Sequence, residues 1–91
     1  MSMQIDHQAD ARHFATVVDG IEAHLDYLLR DGVMTITHTG VPPAIGGRGI
    51  AGALVQAAFD HARQAALKVD PRCSYSDAWL QRHPDYQDLR A

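Results

Sequence analysis

Cysteine is nearly absent. Cys73 is the only one, so no internal disulfide can form, and no Cys/His spacing resembles a zinc site. Lysine is as scarce: Lys68 stands alone among eight basic residues, so an anion site here must be built from arginine or backbone amides. No apolar run approaches the ~20 residues of a membrane span. The opening MSMQIDHQADARHF lacks the basic-then-apolar order of a signal peptide. Excess positive charge is missing too. With a net charge of -3 and an isoelectric point near 6.0, nothing electrostatic favours nucleic acid or an anionic membrane as partner. These absences lead to the expectation of a soluble cytoplasmic protein. What remains, 46% apolar and 21% charged residues, is ordinary for a globular chain. Residues 1–91 are read as a single domain, one that buries about 60–65% of its unfolded surface in one core.

Residues 12–18, RHFATVV, are β-rich and stop at Asp19-Gly20, a two-residue hairpin signal. Ile21, Ala23, Leu25, Tyr27 and Leu29 then alternate with Glu22, His24 and Asp26, the period of a strand with one apolar face. Asp31-Gly32 marks a second hairpin, and VMTITHT at 33–39 is β-branched again. Such tight turns make an antiparallel meander, because parallel neighbours need a long crossover. The character changes at Val41. Pro42 and Pro43 cannot continue a ladder. Beyond the glycines, Ile50, Ala51, Leu54, Val55, Ala58, Phe59, Ala62 and Ala66 recur at helical spacing, which predicts a helix over about 48–66. Asp60 and Arg63 lie on its other face. ALKVD at 66–70 reads as a fourth strand, reached through a helix and so parallel to its neighbour. Ser74-x-x-Asp77 matches a loose capping box for a helix over 75–83, closed by Pro84, with Tyr86 and Leu89 as anchors of a polar tail. The order β-β-β-α-β-α predicts an α/β fold: a mixed, mainly antiparallel sheet with two helices.

The stretch VPPAIGGRGIAGALVQAAFDHAR, from Val41 to Arg63, sets Gly46, Gly47, Gly49 and Gly52 at a helix start. A flexible strand-to-helix turn would account for them. So would an anion cradle. The first turn of a helix carries unpaired N–H groups and the positive end of the dipole, glycines admit a phosphate to the backbone, and Arg48 adds a planar charged fork. The prolines favour the cradle, because a rigid approach loses less entropy on binding. A Walker loop is excluded, since no Lys-Ser or Lys-Thr follows. Gly47-Arg48-Gly49-Ile50-Ala51-Gly52 is literally G-x-G-x-x-G, with Asp70 about 20 residues on, as in the dinucleotide fingerprint. That reading fails on context. Seven residues separate Thr39 from Gly47, the upstream strands are hairpins, and only 21 residues follow Asp70.

Gly46-Gly47-Arg48-Gly49-Ile50-Ala51 resembles motif A of the GCN5-related N-acetyltransferases, Q/R-x-x-G-x-G/A, with Gly46 in place of the leading Gln/Arg. THTGVPPAIGGRGIAGALVQAAFDHAR, then LKVDPRCSY, then RHPDY, is similar to the minimal acetyltransferase-like subfamily of roughly hundred-residue proteins, whose members read HTEVPP, RGRGIG, a lone Cys after the fourth strand, and HPEY. The resemblance runs from about Phe14 to Tyr86, and Gly40 stands where Glu is usual. It implies a reduced acyl-CoA N-acyltransferase fold and acetyl-coenzyme A as cofactor. Val41 and nearby backbone would hold the pantetheine arm where two strands splay apart, and the amides of Gly47, Arg48, Gly49, Ile50, Ala51 and Gly52 the pyrophosphate, with Gly46 a further cofactor-binding residue. The subfamily lacks the early helices that shape the acceptor site in larger relatives, so the resemblance leaves the acceptor an unidentified amine, of a small molecule or of a protein lysine or N-terminus.

Three residues are candidates for chemistry. His38, in phase with Met34 and Ile36, is either a structural histidine or a general base near neutrality; larger relatives place a base on the equivalent strand. Cys73 is either a small buried hydrophobe or a thiolate favoured by a helix N-terminus and Arg72. Tyr75 would protonate the leaving thiolate, as a tyrosine does in larger relatives. Trp79 and Tyr86 read as core. His7, His13, His24, His61 and His83 show no ligand spacing, and no metal is expected. The expected activity is transfer of acetyl to an amine by direct attack, with a non-catalytic coenzyme A-binding or protein-interaction module as the alternative.

Overall fold

A computed structural model describes residues 3–91. Strands β1 (Asp6–Gln8), β2 (His13–Val18), β3 (Ile21–Arg30), β4 (Val33–Gly40) and β5 (Lys68–Pro71) lie in that order in one sheet. Helix α1 (Ile50–Gln64) connects β4 to β5, and α2 (Ser74–Gln81) follows. Short 3-10 segments occupy Ala9–Ala11, Pro43–Ile45 and Pro84–Leu89.

The first four strands pair antiparallel and β4 pairs with β5 in parallel, as the turn lengths require. Both hairpins use two left-handed central residues, Asp19 and Gly20 (φ 52° and 75°) and Asp31 and Gly32 (φ 53° and 77°). That is the turn whose twist matches the strands it joins. Strand β1 was not anticipated. It is three residues long, pairs only with β2, and has no apolar alternation to betray it.

One face of the sheet is covered and the other is open. Leu25, Tyr27, Met34, Ile36 and Val69 meet Ile50, Leu54, Val55, Phe59 and Leu80 in the core. Fully burying Ile50, Leu54, Val55 and Phe59 contributes on the order of 6–12 kcal/mol against exposure. This docking holds α1, which carries an isolated glycine inside its first turns. The helix ends at Gln64, where Ala66 turns left-handed (φ 58°) and Leu67 N–H closes on the Ala62 carbonyl. Asp60 and Arg63, on its polar side, clamp the tail: the Tyr86 hydroxyl donates to Asp60 at 2.7 Å, and Arg63 holds both Asp88 oxygens at 3.0 Å. Trp79 is buried and stacks on Phe59, while Tyr86 packs at the core's edge.

The capping box does not form. Cys73, not Ser74, is the N-cap of α2 and makes no side-chain cap, Ser76 Oγ turning back to the Cys73 carbonyl at 2.8 Å. Asp77 instead binds Arg90 at 3.0 Å. The helix stops at Gln81, and Pro84 opens the final 3-10 segment rather than closing the helix.

Candidate active site

The end of β4 and the start of α1 are set by backbone constraints. Pro42 and Pro43 lead into a 3-10 turn that ends on the buried Ile45, and Gly46 N–H closes it on the Pro43 carbonyl. Gly47 and Gly49 are both left-handed at φ 75°, which places Gly49 as the N-cap of α1. The cap has no side-chain hydrogen bond, and no acidic residue sits in the first turn. The helical ladder begins with Ala53 N–H on the Gly49 carbonyl, so the amides of Ile50, Ala51 and Gly52 stand ahead of it. A Cβ on Gly47 or Gly49 would meet nothing within 4 Å. The uncapped positive helix end has open space at both glycines, and a diphosphate fits that cradle in charge and in hydrogen-bonding sense.

The cradle is the floor of a cleft of about 290 Å³ lined by Val41, Gly46, Gly47, Gly49, Ile50, Ala51 and Tyr75. Six of the expected cofactor-binding residues are therefore contiguous with a candidate for chemistry from a different helix. Gly52 lies beneath: a Cβ there would stand 3.4 Å from the Tyr75 hydroxyl. Arg48 is the exception. Its guanidinium turns away to Asp19 in the first hairpin, Nη1 to Oδ2 at 2.6 Å, and lines a separate hollow of about 490 Å³ with Val17, Val18 and Ile50. Any anion in the cradle must compete with Asp19 for it.

β4 and β5 part company beside this cleft. Their last pair is Ile36 with Pro71, after which Cys73 N–H still reaches the Ile36 carbonyl at 2.9 Å while β4 runs on to Gly40. Cys73 fills the fork, its Sγ donating to Thr39 Oγ1 at 3.6 Å. Partial burial alone would raise this thiol. The Ser76 amide, the Thr39 hydroxyl, the Tyr75 amide and the Ser76 hydroxyl together outweigh it, and the thiol is held below its ordinary pKa. Cys73 packs against the core and does not line the cleft.

His38 is not where its phase indicated. Asp26 pairs with His38 but Tyr27 pairs with Ile36, so Thr37 is an extra residue in β4. This bulge reverses the alternation. His38 leaves the core face of Met34 and Ile36 and stands exposed on the open face, beside Asp26 and His24. Thr39 takes the inward position instead and meets Cys73. The two imidazoles crowd over Gly40: a Cβ there would lie 3.1 Å from His38 Nε2 and 3.2 Å from His24 Nε2. Thr39, Asp19, His24 and Asp26 were not singled out from the sequence. The alternation Glu22, His24, Asp26 carried a signal for the last two; nothing local marked the others.

The remaining histidines are structural. His7 Nε2 lies 2.6 Å from the Tyr27 hydroxyl, and its ring stacks on Phe14 and meets His61 edge-on. Burial, with His61 second, holds His7 below the usual imidazole range. His83 stacks on Trp79 and bonds its carbonyl at 2.7 Å. Among the described residues no group of three His, Cys, Asp or Glu side chains is arranged to hold a metal, and no helix is long and apolar enough to cross a membrane.

Comparison with known proteins agrees with this geometry. Residues 13–89 match the family model of the GCN5-related N-acetyl-transferases. Protein NATD1 of Gallus gallus is 29% identical over 85 residues, spanning 90% of this chain and 77% of that one. Its namesake in Xenopus tropicalis is 29% identical over 86 residues, spanning 91% and 79%. The NMR solution structure of a GCN5-like protein from Staphylococcus aureus superposes with a TM-score of 0.76 at 30% identity, covering 97% of this chain and 87% of that one. A mixed sheet whose parallel pair opens beside a glycine-capped helix, matched by sequence over nearly its whole length, places the chain in the GCN5-related N-acetyl-transferase family.

Proposed function

We propose that residues 1–91 act as one unit that binds acetyl-coenzyme A at the start of α1 and transfers its acetyl group to an amine by direct attack. The observation that carries this reading is the uncapped N-terminus of α1, with Gly47 and Gly49 open above it and Val41 and Tyr75 beside it in one cleft. Bound acetyl-coenzyme A supplies an acyl group activated as a thioester. The amides from Gly47 to Gly52 hold its pyrophosphate, with the helix dipole favouring the charge. The Val41 backbone orients the pantetheine arm at the fork between β4 and β5. The Tyr75 hydroxyl, over the first turn of α1, donates a proton to the departing sulfur. An imidazole of the open face beside Gly40 frees the amine of its proton.

A covalent route has one observation in its favour, the lowered thiol of Cys73 in the fork. Direct attack is preferred because an amine within reach of a thioester needs no covalent relay, and a half-buried cysteine packed against the core is accounted for by packing. The test is incubation with acetyl-coenzyme A, followed by mass spectrometry and by transfer rates to lysine peptides and small amines. Direct attack expects no acetyl on Cys73 and most of the rate kept in Cys73→Ala. Stoichiometric acetyl-Cys73 that decays on adding amine would establish the covalent route instead. Binding without transfer in the unaltered protein would reduce the function to a coenzyme A-binding module.

A further inference from the structure

Gln8, His13, Asp26 and His38 pair in turn as one row across the open face of the sheet, from β1 to β4, and His24 adjoins it two residues before Asp26 on β3. His13 Nε2 lies 2.7 Å from Gln8 Oε1, and its Nδ1 stands 3.7 Å from Asp26 Oδ1, beyond hydrogen-bond reach. On this face, Asp26 therefore takes its hydrogen bond from His24, whose Nδ1–H donates at 3.2 Å. A carboxylate only accepts, so neutral His24 carries its proton on Nδ1 and keeps a lone pair on Nε2. His38 is exposed, its ring 5.7 Å from that of His24, and no side-chain hydrogen bond holds it among the described residues.

The free nitrogen of His24 faces the space above Gly40, 3.2 Å from where a Cβ would stand. Gly40 ends β4 beyond the last β4–β5 pair, and the next residue, Val41, lines the glycine cleft on the helix side. The imidazole thus stands over Gly40 on the open face, and the cleft begins at the next residue on the helix face.

We propose that Asp26 and His24 form a fixed carboxylate–imidazole pair whose Nε2 takes the proton from a primary ammonium acceptor arriving at the open sheet face. This rests on the acetyltransferase reading and makes His24, rather than His38, the base, with Asp26 as its positioning residue. His24 Nε2 takes one proton from the ammonium and releases it to solvent. The freed amine forms the C–N bond to the acyl carbon as the C–S bond breaks and the electron pair leaves on sulfur. The Tyr75 hydroxyl protonates that sulfur, and the nitrogen's second surplus proton restores the hydroxyl. Among the described residues, the other titratable groups on this face near His24 are Glu22 of its own strand, His13 from β2, His38 from β4, and Asp6 of β1, which pairs with Ala15 opposite His24.

The test has two arms. Long-range 1H–15N spectra of the free, labelled protein read the tautomer directly: His24 is expected to be protonated on Nδ1, and Asp26→Asn to mix the two tautomers. In parallel, transfer from acetyl-coenzyme A is measured to lysine methyl ester, phenethylamine and spermidine. His24→Gln is expected to lower kcat by about 10²–10⁴-fold with the Kd for acetyl-coenzyme A unchanged. Asp26→Asn is expected to lower it by a smaller factor, and His38→Gln to lower it least. If His24→Gln does not fold, the tautomer and Asp26→Asn carry the test. A proton on Nε2 of His24, or a larger loss in His38→Gln than in His24→Gln, would overturn the proposal. So would absence of transfer to any of these amines by unaltered protein that binds acetyl-coenzyme A. Failure to bind acetyl-coenzyme A is distinguishable from all of these, and removes the acetyltransferase reading and this proposal together.

Discussion

Gly49 separates a phosphate cradle from a mere turn. It caps α1 at φ 75° and ψ 14°, and a Cβ there meets nothing within 4 Å. Substitution is therefore opposed by torsion, not by collision. Alanine in the left-handed region costs about 1–2 kcal/mol, whereas asparagine adopts that region with little penalty. At roughly 4–8 °C per kcal/mol for a domain of this size, Gly49→Ala is expected to lower Tm by about 4–16 °C, and Gly49→Asn by only a few degrees. Binding should follow a different order. Either side chain enters the space in front of the helix amides, and one charge-assisted hydrogen bond lost there costs about 1.5–3 kcal/mol, or roughly 10–150-fold in Kd. Thermal unfolding without ligand and calorimetry with acetyl-coenzyme A measure the two quantities separately. The expected result is weak binding in both variants with near-normal stability in Gly49→Asn. If Gly49→Asn recovers stability and affinity together, the glycine serves backbone geometry alone and the cradle is refuted.

Asp19→Asn frees Arg48 while suiting the left-handed turn at φ 52°; stability should change by less than about 1 kcal/mol, and calorimetry should find tighter acetyl-coenzyme A binding. The Cys73 thiol should be half-ionised below the pH of an unperturbed cysteine, read from iodoacetamide labelling against pH, with Thr39→Val moving the midpoint up. A thiol lowered by folding binds fewer protons folded than unfolded. Its contribution to stability is thus present above the ordinary thiol pKa and is lost as pH falls through the lowered value. Phe59→Ala empties a fully buried site stacked on Trp79, so denaturant unfolding should register a loss of about 3–5 kcal/mol.

What the sequence disclosed was mostly local. Asp19-Gly20 and Asp31-Gly32 declare their hairpins because two consecutive left-handed residues are a chemical requirement of the turn. The apolar spacing of α1 and the proline-glycine run before it are likewise written in neighbouring residues, and six of the anticipated cofactor-binding residues line one cleft. His38 was misplaced because a single extra residue, Thr37, reverses alternation without changing composition. The capping box failed because Ser74 and Asp77 match a pattern of residue types, while the strand geometry made Cys73 the cap. Arg48 with Asp19, 29 positions apart, and Cys73 with Thr39, 34 apart, are joined only by the sheet and α1 crossover, and no short-range signal encodes them.

The central claim is that the first turn of α1 holds the pyrophosphate of acetyl-coenzyme A, and amide chemical shifts during titration test it most directly. Saturable shifts are expected at Gly47, Gly49, Ile50, Ala51 and Gly52 and at Val41, with NAD leaving these amides unmoved. At ~100 times Kd the ligand should add about 2.7 kcal/mol, a rise in Tm of roughly 10–20 °C. No shift at millimolar acetyl-coenzyme A, an equal response to NAD, or shifts confined to the hollow at Val17, Val18 and Asp19 would contradict it.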